Sequence, residues 1–252
     1  MIVFMQNKFR KFLVLLLWIA VWQIVSVLVG NVFVIVGPWE TLLALFRLIR
    51  EGSFFPSVGK SLACIICGFL AGSLLGGLSA ALAYRFRLFK EIIEPFFKII
   101  KTVPVVSFII LVLIWFSKDL TASLISMTVT APVIYYNIKA GLESTDKKLL
   151  EMAEVFRIGA GRKIKYIYMP GLKPFIISSV QTAFGMAWKS GAAAEVIGQP
   201  LMTIGNGLYR GKINLATDEV LAWTVAIVAM SVITEHMLMF VVRKACPGND
   251  QT

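Results

Sequence analysis

The chain has a single histidine, His236, three cysteines and only fourteen acidic side chains among 252 residues. An intramembrane protease or lipid-modifying enzyme needs a nucleophile beside a base, or several carboxylates and imidazoles converging at one depth. This sequence has few groups to build either from. Cys64 and Cys67 form a lone CxxC in an apolar run and Cys246 stands far away, too few and too scattered for a disulfide framework or a zinc site. The CxxC reads as two small packing residues. A phosphate-binding loop is also missing. "GSFFPSVGKS" comes near G-x-x-x-x-G-K-[ST], but Phe54 occupies the required glycine position, and six residues, not four, separate Gly52 from Gly59. ATP hydrolysis therefore has to come from another polypeptide. Charged residues make up 15% of the chain, where soluble domains carry about a quarter.

What the sequence has in abundance is apolar: 58% hydrophobic residues and a mean hydropathy of +0.81, the composition of a membrane protein. The net charge of +11 would suit nucleic acid, but the basic residues lie between hydrophobic runs and build no solvent-exposed basic face, so nucleic acid is excluded as a partner. Six stretches reach or approach the roughly 20 residues needed to cross a bilayer: 12–30, 58–84, 102–117, 120–138, 172–196 and 219–242. The first lacks an A-x-A cleavage pattern and reads as a retained span. The third begins beside Pro104 and draws on the amphipathic "EIIEPFFKIIK" before it. "WETLLALFRLIR" and the Gly-rich "GQPLMTIGNGLYRGKINLATDE" read as interfacial. With the N-terminus inside, 18 of the 25 Lys and Arg fall on inside segments, among them Lys8 and Lys11, so both termini are predicted to be cytoplasmic. The expected fold is an all-α, six-span membrane protein in one domain, residues 1–252, with a cytoplasmic loop at 139–171. No internal repeat is visible, which counts against an autonomous secondary carrier with duplicated halves.

That loop holds "EMAEVFRIGAGRKIKYIYMP", residues 151–170. Thr145 and Asp146 can cap a helix start, and Leu149, Met152, Ala153 and Phe156 then fall at i, i+3, i+4 and i+7 on one apolar face. "RIGAG" predicts a turn, and Pro170 is expected to separate a second short helix from the following span. From periodicity alone the apolar face could bury itself in a partner protein or lie among lipid headgroups.

The same stretch resembles the cytoplasmic signature of permease subunits of binding-protein-dependent ABC importers: Glu-Ala-Ala, three residues, Gly, nine residues, Ile, one residue, Leu-Pro. Glu151, Met152 and Ala153 fill the triplet, Ile167 the later Ile, and Met169 with Pro170 the Leu-Pro. Arg157 stands where the family usually has Gly. Gly159 and Gly161 follow, so the turn is expected two residues downstream. The likeness runs from about Pro38 to about Thr234 and is greatest to the nitrate, sulfonate and taurine branch, through "GPWETLLALFRLIREGSFFPSVGKSLACIICGF", "IIEPFFKIIKTVPVVSFIILVLIWF", "GLESTDKKLLEMA" and "AWKSGAAAEVIG". The resemblance implies the type I importer permease fold in a bacterial inner membrane. Two permease copies, expected to be a homodimer, would form the pathway. Each would insert a coupling helix, here carried by Leu149, Glu151, Met152, Ala153, Phe156, Arg157, Gly159 and Pro170, into an ATP-binding cassette subunit. ATP and Mg would sit on that partner, no cofactor on this chain, and an extracytoplasmic solute-binding protein would deliver the solute.

Inside the predicted spans, ionisable residues are costly and point to function. Lys189 lies about 25 Å along the fifth span from Leu172, in its outer half. With Gln181 and Ser190 it either lines the pathway and attracts an anionic or zwitterionic solute such as a sulfonate, or snorkels outward or pairs with a carboxylate. Glu195, near the outer boundary, fits an outer gate or a structural pair better than a solute site. Glu235 and His236 read as interfacial. Cys64, Gly68, Gly72, Gly76 and Ala80 place a small residue at every fourth position of the second span, which predicts close packing on another helix, within the subunit in preference to between subunits.

Overall fold

A computed structural model describes residues 2–245; expectations for Cys246 and for the side chains of Lys8 and Lys11 fall outside the described residues. The described residues contain helices and no strand: α1 Ile2–Val29, α2 Pro38–Arg50, α3 Phe54–Arg85, α4 Arg87–Thr102, α5 Val105–Trp115, α6 Lys118–Glu143, α7 Lys147–Val155, α8 Ala160–Lys163, a π-helical turn Ile164–Tyr168, α9 Met169–Gly198, α10 Ile204–Ile213 and α11 Thr217–Ala245.

The centre is a stack of α3, α6 and α9. The small-residue stripe of α3 lies directly on α6: a Cβ at Gly72 would stand 2.6 Å from the Met127 carbonyl, and at Gly68 and Gly76 it would run into the carbonyls of Ser123 and Ala131. The stripe therefore packs within the chain, as its spacing suggested. Where α9 joins the two, a Cβ at Gly191 would meet the Ser126 hydroxyl of α6 and the Ile65 side chain of α3, each at 2.7 Å, and that hydroxyl donates to the Ala187 carbonyl at 3.1 Å. Phe69, Phe184 and Trp188 fill the space between α3 and α9 and are all buried.

Two helices, α3 and α11, are by themselves long and apolar enough to cross a membrane. The others are less simple. α6 and α9 are 26 and 30 residues long, but they turn Thr121, Ser126, Thr130 and Ser179 inward, so their hydropathy falls where they are most buried. The predicted third span differs most. α5 has 11 residues, about 16 Å of helix, and α4 does not extend it in line: the pair bends by 104° at Val103–Pro104. Pro104 has no N–H and pushes the residue before it into extended backbone, and Val103 accordingly has ψ 134°. α4 then runs crosswise, with Phe97 buried against Ala80, Ala83 and Tyr135.

"WETLLALFRLIR" forms α2, which buries Thr41, Ala44 and Leu48 and exposes Trp39, Leu42, Leu43 and Phe46. α2 and α10 flank the N-terminal half of α11, where Trp223 stacks on Phe54 with ring centroids 5.2 Å apart. α1 is attached near its far end, where Trp22 Nε1 donates to the Val36 carbonyl at 3.0 Å.

Candidate functional site: the α7 projection and the exposed face of α9

The connection from α6 to α9 is built in steps. Asp146 caps α7, its carboxylate accepting from the Lys148 N–H at 2.9 Å. At the other end, the Arg157 N–H donates to the Glu154 carbonyl at 3.0 Å and the Ile158 N–H to the Ala153 carbonyl at 2.9 Å. These bonds are the 5→2 and 6→1 pair of a Schellman motif, which requires a left-handed residue at its corner. Arg157 supplies it, with φ 51°. The turn is therefore not displaced to the glycines: Gly159 has φ −61° and caps α8, and Gly161 lies within that helix. Pro170 also behaves differently from expectation. No break separates the second arm from the span, because helix continues from Ala160 to Gly198. Pro170 lacks an N–H for the turn before it, and the chain widens there, the Met169 N–H reaching five residues back to the Ile164 carbonyl.

α7 presents an apolar surface that no side chain covers among the described residues. Val155 and Phe156 are 78% and 72% exposed, and Leu149 and Met152 lie open beside them. Ala153, grouped with them by periodicity, is fully buried in its own chain and so roots α7 to the body. Val155 was missed, although it completes the i, i+3, i+6 series from Leu149 and Met152. Glu151 lies on another side, lining a cleft of about 350 Å³ with Lys147, Leu150, Glu154, Lys163 and Tyr168.

The four candidate pathway residues are not brought together. Gln181 is exposed and donates to Glu235 at 3.1 Å. Ser190, nine residues further along α9, points to the opposite side and is half-buried. Lys189 is exposed and has no ion pair among the described residues. Its real companions on that face are Ser178, Thr182, Met186 and Ala193, all exposed and, with Lys189, spread over about 80° of the helix circumference. A period scan that tracked hydroxyls as well as charges would have found Ser178 and Thr182.

Glu195 is sealed in. It is 1% exposed, and one carboxylate oxygen accepts from the Ser61 hydroxyl at 2.7 Å and the Gly205 N–H at 3.2 Å. The Ser61 oxygen in turn accepts from the Ile204 N–H at 2.9 Å, so two of the orphan amides at the start of α10 are held. The neighbouring Lys60 donates to the Leu201 carbonyl and to Asp119, each at 2.8 Å. That hydrogen bond with the Lys60 ammonium holds the Asp119 carboxyl below the ordinary aspartate value. Together they strap down a loop in which Gln199 and Met202 have φ of 51° and 56°. Glu195 is therefore an anchor of the loop before α10, not a residue a solute meets in this conformation. Lys60 and Ser61, the residues of the false phosphate-loop match, sit within the helical body of α3.

The family described as "Binding-protein-dependent transport system inner membrane component" matches residues 68–244, the larger part of the chain. This chain belongs to that family. Among relatives, the permease is 26% identical over 232 residues to the putative aliphatic sulfonates transport permease protein SsuC of Bacillus subtilis, covering 90% of this chain and 82% of the relative. It is 25% identical over 210 residues to the taurine transport system permease protein TauC of Escherichia coli, covering 80% and 73%. To the bicarbonate transport system permease protein CmpB of Synechococcus elongatus it is 22% identical over 204 residues, covering 73% and 67%. The permease thus falls in the nitrate, sulfonate and taurine branch that the sequence motifs indicated. The matched segment runs from the glycine stripe of α3 through α7 to the end of α11, so it contains the whole projection and the polar face of α9.

Proposed function

We propose that this permease is one half of the translocation pathway of an ATP-driven importer in a bacterial inner membrane. Two copies pair, with six spans each and both termini cytoplasmic. α7 docks into a groove of a separate ATPase subunit, which binds ATP and Mg, and an extracytoplasmic binding protein hands over the solute. The observation that carries this reading is the α7 surface, where four large apolar side chains stand open on a capped, closed helix. Fully burying each would contribute about 1.5–3 kcal/mol, enough to hold a partner at modest area. Headgroup lying is less favoured, because Lys147 and Lys148 are balanced by Glu151 and Glu154, leaving α7 without the net positive charge that draws a helix to an anionic membrane surface.

The names of the relatives and the exposed Lys189 support a small anionic or zwitterionic solute, a sulfonate in the first instance. On this reading Lys189, Thr182 and Ser178 face the pathway, and Glu195 holds its outer gate.

The test is co-purification. Phe156→Asp replaces an apolar anchor by a charge. It is expected to weaken retention of the co-expressed ATPase subunit at least about tenfold, while the permease keeps its yield and elution position. Wild-type retention by Phe156→Asp would end the docking assignment.

A further inference from the structure

α6 ends at Glu143, and three residues, Ser144–Asp146, link it to α7. At this end α6 is gripped on two sides. Against α9, Gly141 lies so close to Leu172 and Phe175 that a Cβ would stand 2.7 Å and 2.9 Å from them. Against α4, the grip is made of charges. Lys139 is only 13% exposed and pairs with Glu94 of α4, while Glu143 accepts from Lys90 of α4 at 3.1 Å and lies 3.8 Å from Lys139. The Tyr136 hydroxyl donates to the Glu94 carbonyl, and Lys101 sits 4.7 Å above the Tyr136 ring.

These contacts have a direction, since α4 leads through the 104° bend at Val103–Pro104 into α5. α5 lies against the upper part of the bundle, where Ile109 packs on Ile125, Val129 and Ala194. α5 also touches α9, through Ile109 on Ala194 and Leu113 beside Gly198, five and nine residues beyond Lys189, and its Ser107 is exposed. An apolar contact between α4 and α6 would tolerate sliding. Charge pairs do not, because moving α6 without α4 parts Lys139 from Glu94 and Glu143 from Lys90, and leaves the largely buried Lys139 only the longer contact to Glu143 of its own helix.

We propose that Lys139 is a positioning residue that makes α4 travel with the C-terminal end of α6, so that displacement of α7 is carried through the α4–α5 elbow to the pathway face. This rests on the reading of α7 as the ATPase-docking helix. The clamp gives that stroke a mechanical route, and α5 is the element it moves.

The experiment uses the complete complex in nanodiscs, with Cys64, Cys67 and Cys246 replaced by serine. One reporter cysteine is placed on α5 at Ser107 and, separately, one on the apolar face of α7 at Val155, a conservative change; maleimide labelling is followed with and without ATP plus vanadate. In the parent, the ATPase subunit should protect Val155→Cys, and nucleotide should change the labelling rate of Ser107→Cys several-fold. Lys139→Met should abolish the nucleotide response at Ser107 and leave the protection at Val155. The charge exchange Glu94→Lys with Lys139→Glu should restore the response. A response that persists in Lys139→Met, or that is absent at Ser107 in the parent, overturns the proposal. So does loss of both signals in Lys139→Met that the exchange leaves unrepaired, since Lys139 then serves stability alone. Absent protection of Val155→Cys in the parent instead sinks the docking reading.

Discussion

Arg157 occupies a corner that backbone geometry reserves for glycine. A left-handed conformation costs an ordinary residue about 1–2 kcal/mol, and the exposed side chain of Arg157 makes no hydrogen bond among the described residues that offsets it. Arg157→Gly should therefore raise the thermal midpoint of the purified permease, by the equivalent of about 1 kcal/mol after glycine's larger entropy loss is deducted. Gly159→Ala should change little, since Gly159 has ordinary φ and nothing lies within 4 Å of the added methyl. Opposite signs for the pair would place the turn on the glycines after all. The motif spacing located this corner to the residue, but not its conformation. Glycine content is only a propensity, whereas the six-residue closure between Ala153 and Ile158 fixes which residue turns. Glu195 was less legible, because its partners Ser61 and Gly205 come from opposite directions along the chain.

Among the elements, the α3 stripe was readable because period-four glycines in an apolar helix have one main physical use. Its partner was not, since any helix could have filled the groove. The contact predicts unequal substitutions: Gly72→Ala pushes a methyl against the Met127 carbonyl and should cost about 1–3 kcal/mol, while Gly77→Ala, with nothing within 4 Å, should be neutral or slightly stabilising. Thermal unfolding in detergent reads both, and equal midpoints would mean α3 and α6 do not meet this closely. The elbow between α4 and α5 was half visible. Pro104 marked the break, but its angle depends on Phe97 finding Ala80, Ala83 and Tyr135 across the chain. The π-helical turn before Pro170 left no trace in a scan that treats proline as a stop.

For the whole molecule, the composition alone established a helical membrane protein, and the signature its family. The candidate pathway face was harder, because α9 is buried along one side, bonded to Glu235 at Gln181 and exposed along the line of Ser178, Thr182 and Lys189. Charge marked Lys189, and only the packing of α6 and α11 reveals which other residues share its face. Lys189→Met should lower uptake of taurine or an alkanesulfonate about tenfold in vesicles holding the full transporter, the loss of one charge-assisted contact of about 1.5 kcal/mol, with assembly unchanged. Unaltered uptake would turn that face toward lipid.

The absence of side chains between α3 and α6 also limits how the molecule can change shape. With carbonyls of one helix seated on the glycines of the other, neither can slip by a fraction of a turn; the next matching register is four residues away, about 6 Å. The pair therefore moves as one rigid body. Whatever changes shape during a transport cycle either travels with it or turns about it at the elbow.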